Sequence, residues 1–211
     1  MHVSELWRYP VKSLKGERLE QTEISRLGIR GDREIIVRSE SGQLFTSRGK
    51  PKLLGLRSAL DTNSLATING HPWNSPEAVA LVSEAVGEAA SLEQVSQPQG
   101  FDILPLLIAT DGAVKAINID QRRLRPNILI SGVNGLDERK WVGDTIAIGN
   151  VRIKAVKLRE RCVMTTYDPD TQVQDRSVLL RIIREFDGVA ALDCSVVEPG
   201  TIHVGDPVEL L

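Results

Sequence analysis

The chain has 211 residues, of which 41% are hydrophobic and 26% are charged, a composition that predicts a folded protein with a substantial core. The formal net charge of -2 provides no overall field to attract nucleic acid or an anionic membrane. The longest apolar run, residues 103–109, is broken by Pro105 and is far shorter than the roughly 20 residues that span a bilayer. The first residues lack the basic and apolar segments of a secretory signal, so we expect a cytoplasmic protein with no nucleic-acid or membrane partner.

Short apolar and alternating segments predict strands towards both ends of the chain, most of them bounded by Gly, Pro, Asp or Asn. These segments cover residues 3–9, 17–24, 33–38, 53–60, 127–131, 145–148 and 151–158. Gly149-Asn150 and Asn69-Gly70 have the turn chemistry of tight hairpins. Antiparallel pairing is therefore the expected arrangement.

Three segments have the apolar spacing of helices. The first starts with a capping serine and a proline and covers residues 75–90; the second starts at residue 110 or 111; the third covers residues 178–186. We predict an α+β fold, mainly antiparallel β with a barrel-like core, a few peripheral helices and a β-rich N-terminal portion. No glycine-rich loop of the dinucleotide-binding or P-loop type follows a predicted strand. We expect residues 1–98 and the core domain over residues 99–211 to pack as one unit.

The two cysteines differ in their surroundings. Cys194 stands among apolar residues, and we interpret it as a small buried hydrophobe rather than half of a disulfide, because a reducing cytoplasm disfavours bridges. Cys162 follows Arg159 and Arg161, and nearby cations favour the thiolate form that attacks or coordinates. We interpret Cys162 as a functional thiolate that holds a metal cofactor.

Other chemistries for this segment have less support. A cysteine hydrolase needs a histidine base, and the three histidines lie in no recognisable catalytic setting. A structural zinc site takes four closely spaced Cys or His ligands, which the sequence does not offer. Residues 168–171, Asp-Pro-Asp-Thr, lack the glycine and the distal glutamate of a calcium loop and predict a turn.

Basic and short polar residues recur in four segments, at residues 12–16, 32–33, 47–48 and 122–127. Lysine as a point charge, arginine as a two-pronged donor and serine as a short donor suit a phosphate group. Taken singly, each residue is more often a solvated surface charge. Together they indicate a large anionic ligand.

Several of these segments carry a family resemblance. Residues 9–13 read Tyr-Pro-Val-Lys-Ser, residues 31–33 Gly-Asp-Arg, residues 125–127 Arg-Pro-Asn, and residues 161–171 Arg-Cys-Val-Met-Thr-Thr-Tyr-Asp-Pro-Asp-Thr, before a closing segment at residues 199–208. In order and spacing they resemble the motifs of the molybdenum-cofactor-binding MOSC-domain family, the group that includes the mitochondrial amidoxime-reducing component and its bacterial relatives.

The resemblance implies a site. Cys162 would be the protein ligand of molybdenum, and the other sulfurs would come from the dithiolene of molybdopterin. Asp168 and Asp170 are candidate catalytic residues that orient groups near the metal or relay protons. The residues expected to contact the cofactor are Lys12, Ser13, Lys15, Arg33, Arg48, Arg125, Asn127, Arg161 and Thr165. No pyridoxal phosphate, haem or iron-sulfur cluster is expected in the chain.

The function implied is that of an oxidoreductase that reduces N-hydroxylated compounds, such as hydroxylamines and amidoximes, to amines. Electrons would come from a separate electron-transfer protein of ferredoxin, flavin or cytochrome type. Two alternatives stay open: a non-catalytic carrier of the cofactor or sulfur relay with a persulfide on Cys162, and a β-rich module that binds another anionic ligand. Two departures from the family pattern, Gln172 for the usual glycine and Leu124 for the usual phenylalanine, concern a turn and the pocket wall.

Overall fold

The structure is a computed structural model that describes residues 1–96 and 99–211. In chain order, the strands are β1 (His2–Arg8), β2 (Glu17–Leu19), β3 (Gln21–Ser25), β4 (Gly28–Ile29), β5 (Ile35–Ser39), β6 (Leu44–Phe45), β7 (Ser58–Leu60), β8 (Ala66–Ile68), β9 (His71–Pro72), β10 (Ala90–Gln94), β11 (Leu106–Thr110), β12 (Ile128–Ser131), β13 (Thr145–Ile148), β14 (Val151–Glu160), β15 (Val189–Glu198), β16 (Gly200–His203) and β17 (Val208–Leu210). The α-helices are α1 (Pro76–Val86), α2 (Asp111–Ile117) and α3 (Arg176–Glu185). Short 3-10 helices lie at Pro51–Gly55, Gln121–Arg123, Asp137–Trp141 and Val163–Thr166.

The main sheet has eight strands in the order β17-β13-β14-β15-β11-β12-β1-β2. Its neighbours pair antiparallel except β11 and β12, which are parallel. Val3 N donates to Asp206 O at 2.9 Å and Gly205 N donates to Val3 O at 2.7 Å. Over the described residues, these bonds curl the sheet back on itself without completing a closed ladder. The predicted α+β fold with a mainly antiparallel, barrel-like core is confirmed.

Strand β11 carries side chains into two different parts of the core. Leu106 and Ile108 join the cluster that fills the main sheet, whereas Leu107 and Ala109 join the cluster under α2 and α3. The separation follows from the alternation of side chains along a strand. Cys194, on the neighbouring strand β15, is fully buried in the first cluster, and burial raises the pKa of its thiol. Its interpretation as a buried hydrophobe is confirmed.

Local signals placed the first helix well at its start and less well at its end. The Ser75 side chain accepts a hydrogen bond from Ala78 N at 3.2 Å and caps α1. The helix ends at Val86 rather than near Ala90, because Gly87 adopts a left-handed conformation with φ of 78°. Ala90 instead begins β10, which pairs with β5.

The predicted strand over residues 53–60 is only half correct. Residues 51–55 form a 3-10 helix that starts with proline, and the strand begins at Ser58. The two predicted hairpins are confirmed, since Ile148 pairs with Val151 and Ile68 pairs with His71. Within the described ranges, no helix combines the length and apolar character needed to cross a membrane. The predicted division between residues 98 and 99 stays a prediction, because residues 97 and 98 lie outside the described part.

Candidate cofactor-binding site

A cavity of about 440 Å³ lies among segments that enter or leave β1, β5, β6, β12 and β14. Its volume is in the range of small-molecule and cofactor sites. It brings together eight of the residues predicted from the sequence, namely Lys12, Ser13, Arg33, Arg48, Arg125, Asn127, Arg161 and Cys162. Residues 12–48 and 125–162 therefore converge on one site, although they are far apart in the sequence.

Cys162 stands at the point where β14 gives way to the 3-10 helix Val163–Thr166. The backbone carbonyl of Cys162 is held by Thr165, three residues later in the turn. Thr165 N and Thr165 Oγ1 donate to Cys162 O at 3.0 and 2.8 Å. Thr165, predicted as a cofactor contact, is fully buried and serves this turn. Cys162 is partly exposed and lines the cavity, and these two hydrogen bonds fix its backbone.

Asp102 joins two cations at the same cavity. Its Oδ1 lies 2.6 Å from Lys12 Nζ, and its Oδ2 lies 2.8 Å from Arg48 Nη2. Lys12 Nζ also donates to Gly100 O at 2.7 Å. Sequence reasoning missed Asp102, because nothing in its own loop distinguishes it from a surface aspartate. An anion that enters the cavity would compete with this carboxylate for Lys12 and Arg48.

The pKa values in this triad reflect burial and mutual attraction. Burial lowers the pKa of Lys12, although the hydrogen bond and the charge of Asp102 act to raise it. Burial would raise the pKa of Asp102, but the hydrogen bond and charge of Lys12, then the charge of Arg48, hold it below its ordinary value. Burial acts to lower the pKa of Arg48, but Asp102 and then Cys162 raise the pKa of this guanidinium above its ordinary value. A cation therefore stands beside the Cys162 sulfur.

These shifts predict how acid acts on stability. A carboxyl whose pKa is lowered by folding stabilises the protein above about pH 4, its unfolded value, and loses that contribution as the pH falls through the folded value. We expect the difference in unfolding free energy between the wild type and Asp102→Asn to shrink from about pH 6 to about pH 3. Urea unfolding across that range measures it, with Asp187→Asn, whose side chain is 85% exposed, as control. A difference that is constant with pH contradicts the assignment.

The ring of Tyr9 supports two arginines of the cavity. The guanidinium carbons of Arg125 and Arg33 lie 4.3 and 4.9 Å from its centroid, within the range of cation–π attraction. Burial raises the pKa of Tyr9 to about 12, so the phenol stays neutral, and its hydroxyl donates to Pro126 O at 3.1 Å. The two guanidinium groups are thus held by a neutral platform.

The side chain of Asn127 connects three segments of the chain at the cavity. Its Oδ1 accepts from Leu107 N at 3.1 Å and from Arg33 Nη1 at 3.3 Å, and its Nδ2 donates to Asp32 Oδ2 at 3.2 Å. The residue is fully buried, so its amide is committed to protein partners. Asp32 also accepts from Tyr9 N at 2.7 Å. Sequence reasoning missed Asp32 as a site residue, although it precedes Arg33 in the Gly-Asp-Arg segment at residues 31–33.

Three residues of the cavity have an unusual backbone. Ser13, Arg33 and Arg125 adopt left-handed conformations with φ of 74°, 57° and 56°. Such conformations cost energy in residues other than glycine and concentrate at functional sites. The strain supports the assignment of this cavity as a binding site.

Arginine side chains supply most of the positive charge in the cavity. Seven lining residues are basic and two, Asp102 and Glu160, are acidic. Among the arginines that line the cavity, three buried guanidinium nitrogens have no hydrogen-bond partner in the described residues, namely Nη2 of Arg125, Nε of Arg159 and Nε of Arg161. Burial lowers the pKa of both Arg125 and Arg161 to about 10, so both stay charged at neutral pH. Buried donors of this kind need acceptors, and a bound anion would provide them.

Arg159 also lines the cavity, although the sequence indicated it only as a cation near Cys162 and not as a cofactor contact. It lies near the end of β14, and Arg161 follows directly after that strand. Its Nη2 also lies 2.6 Å from the buried Asp193 Oδ1, which fixes the side chain from the core side. The described residues include no group of three or more His, Cys, Asp or Glu that could hold a metal ion.

The two aspartates predicted as catalytic form part of a turn. Asp168 Oδ1 accepts from Thr171 N at 2.9 Å and Asp170 N at 3.0 Å. Asp170 pairs with Arg122 at 2.8 Å and with Lys15 at 3.1 Å. Hydrogen bonds from Arg122 and Lys15 lower the pKa of Asp170 to about 2, so it is ionised at neutral pH. Lys15, predicted at the cofactor, lies at this turn, and the catalytic roles of Asp168 and Asp170 stay predictions.

The comparisons with known proteins agree along the whole chain. The family profile of the MOSC N-terminal beta barrel domain matches residues 1–97, and that of the MOSC domain matches residues 90–209. The chain belongs to the MOSC domain family. Human mitochondrial amidoxime-reducing component 1 is 28% identical over 99% of this chain and 82% of its own length. For human component 2 the identity is 27%, over 98% and 82%.

A solved structure shows the same fold. The crystal structure of the YuaD protein from Bacillus subtilis has a TM-score of 0.55 and 14% identity, with 99% of this MOSC chain and 94% of that chain covered. At this identity the likeness concerns the fold alone. The resemblance to the MOSC family that the sequence motifs predict is confirmed.

The two departures from the MOSC pattern now have structural descriptions. Gln172 has a left-handed φ of 57°, which explains why glycine is common in the family at this position. Its side-chain Nε2 donates to Asp170 O at 2.8 Å, which offsets part of the strain. Leu124 is buried in the cavity wall, and its carbonyl accepts from Arg161 Nη2 at 3.0 Å.

Proposed function

We propose that this MOSC chain is a molybdenum-cofactor-dependent oxidoreductase that reduces N-hydroxylated compounds to amines. The observation that carries the proposal is the position of Cys162 in a cavity where three buried arginine nitrogens lack acceptors. A thiolate for the metal and donors for an anionic pterin phosphate are the two groups that such a cofactor requires. The names of the human relatives, amidoxime-reducing components, support the substrate class.

The residues divide into two roles. Cys162 would ligate the metal, while Lys12, Ser13 and Arg125 would hold the phosphate and pterin. When bound, the cofactor supplies a metal that changes oxidation state and accepts an oxygen atom. Because residues from both predicted portions line the cavity, we propose that residues 1–98 and 99–211 work as one unit.

The overall reaction determines which electrons and protons must be supplied. Reduction of a hydroxylamine to an amine takes up two electrons and two protons and releases one water molecule. We propose that a separate ferredoxin, flavin or cytochrome type of protein delivers the electrons. Since Asp168 and Asp170 have lowered pKa values, we propose that they hold the turn beside the site and position donors rather than give up protons.

Expression in a host that makes molybdenum cofactor provides the test. We expect about one molybdenum and one pterin per chain, and reduction of benzamidoxime to benzamidine with a chemical electron donor. Expression in a host unable to make the cofactor is the matched control. Full loading without turnover on amidoximes or hydroxylamines would favour the carrier alternative. The absence of bound pterin from the cofactor-producing host would contradict both functions.

A further inference from the structure

A second cavity, of about 350 Å³, adjoins the cofactor cavity. The two share three lining residues, Arg123, Arg125 and Met164. Cys162, Lys12 and Ser13 belong to the first cavity, whereas the second is walled by residues around β1, the 3-10 helix Pro51–Gly55 and the turn at residues 167–169. Apart from Arg125, the proposed function uses none of the residues that line the second cavity.

The second cavity is strongly basic. Six lining residues are lysine or arginine: Lys15, Arg18, Arg57, Arg122, Arg123 and Arg125. The one acidic lining residue, Glu17, is engaged by Arg8 at 2.8 Å and by Leu60 N at 2.9 Å. The negative charge of Glu17 is therefore already balanced by Arg8, which does not line this cavity. The electrostatic balance favours an anion.

Some of these cations have carboxylate partners and others do not. Lys15 and Arg122 share Asp170. Arg18 has a half-exposed side chain and lies 3.9 Å from Glu5, too far for a hydrogen bond. Arg57 is exposed, and no carboxylate of the described residues forms an ion pair with it. Buried Nη2 of Arg125 has no acceptor among the same residues. The donors of Arg18 and Arg57 thus remain available to a ligand in the second cavity.

The walls between these cations are flat and largely apolar. The cavity is lined by the rings of Trp7, Tyr9 and Tyr167. Trp7 Nε1 donates to Glu5 Oε2 at 2.7 Å, and Tyr9 Oη donates to Pro126 O at 3.1 Å. Because its polar atom has a protein partner, the partly exposed Trp7 contributes mainly apolar ring surface, whereas Tyr9 is 4% exposed and already packs against Arg125 and Arg33. Aromatic surfaces with guanidinium groups beside them bind planar ligands by stacking and cation–π attraction.

We infer that the second cavity binds an organic anion with a flat aromatic ring, such as an aryl phosphate or an aromatic carboxylate. The ring would lie against Trp7, and the anionic group would meet Arg18 and Arg57. A small inorganic anion has less to gain here, because it leaves the ring surfaces uncovered. The inference stands without a bound cofactor.

Titration of cofactor-free protein with phenyl phosphate tests this site. The chain has three tryptophans, and Trp7 lines the cavity whereas Trp141 is buried in the core and Trp73 packs in the N-terminal cluster. We expect phenyl phosphate to shift the indole N–H signal of Trp7 in nuclear magnetic resonance spectra and to leave those of Trp73 and Trp141 in place. Phenol and inorganic phosphate, each at the same concentration, are expected to shift it far less.

Paired variants assign the binding to one cavity. We expect Arg18→Gln with Arg57→Gln to weaken phenyl phosphate binding about tenfold, as measured by calorimetry. Lys12→Gln with Arg48→Gln, which alters only the first cavity, is expected to leave the Trp7 shift intact. The inference is overturned if Trp7 does not respond, if inorganic phosphate shifts it equally, or if only the first-cavity pair weakens the response. Both paired variants replace cavity-lining side chains, and retained tryptophan spectra confirm that they fold.

Discussion

Replacement of Cys162 by alanine is expected to lower reductase turnover by more than about 100-fold, because loss of an outer-shell partner of a metal ligand already costs about 10–100-fold. The pterin should remain bound, since its proposed anchors, Lys12 and Arg125, are separate side chains on other segments. Turnover of benzamidoxime with a chemical donor, measured together with pterin content, separates the two effects. The thiolate would then be required for chemistry rather than for holding the organic part of the cofactor.

Cys194→Ala is the matched control for this experiment. Cys194 is fully buried in the core, and the substitution removes one sulfur from the chain without touching the cavity. We expect normal metal content and turnover from this variant, with a modest loss of stability from the cavity left behind. If Cys162→Ala retained both its molybdenum and its activity, the oxidoreductase proposal in its present form would be abandoned.

The second large effect is expected from removing two proposed anchors of the pterin phosphate. Lys12 is 8% exposed, and Nη2 of Arg125 is buried without a partner among the described residues. Hydrogen bonds that involve a charged group contribute about 1.5–3 kcal/mol each. Lys12→Gln combined with Arg125→Gln should therefore weaken cofactor binding by more than about 100-fold, and pterin content after purification should fall accordingly.

Controls are needed because Arg125 also packs on Tyr9. Thermal unfolding of the double variant is compared with that of Lys12→Gln alone, which leaves the Tyr9 contact in place and should lose part of the pterin. Lys140→Gln, whose side chain is 80% exposed, serves as a charge-matched control outside both cavities. Full pterin content in the double variant would contradict the phosphate-anchor assignment.

The sequence predicted the turns and the start of the first helix better than the central strands of the main sheet. Hairpins and the cap of α1 depend on neighbouring residues, so Gly149 and Ser75 indicated them directly. The central strands β11 and β15 were not predicted. Leu106 through Thr110 are all buried, because β11 is covered on both faces, and a strand of that kind shows no polar alternation.

The cavity shows a similar limit. Lys12, Arg125 and Cys162 lie in contiguous motifs, and their convergence could be anticipated from the family resemblance. The ion pair between Lys12 and Asp102 joins residues 90 positions apart, and neither local pattern indicates it. Thr165 was assigned to the cofactor from its motif, yet its hydroxyl bonds to the Cys162 carbonyl. Spacing alone does not give the direction of a side chain in a tight turn.

The bond between Cys162 and molybdenum can be measured directly by X-ray absorption spectroscopy at the molybdenum edge. Loaded wild type, Cys162→Ala and Cys194→Ala are compared under identical reducing conditions. A thiolate ligand predicts one fewer sulfur neighbour of molybdenum in Cys162→Ala and an unchanged number in Cys194→Ala. The same number of sulfur neighbours in all three proteins would contradict ligation by Cys162.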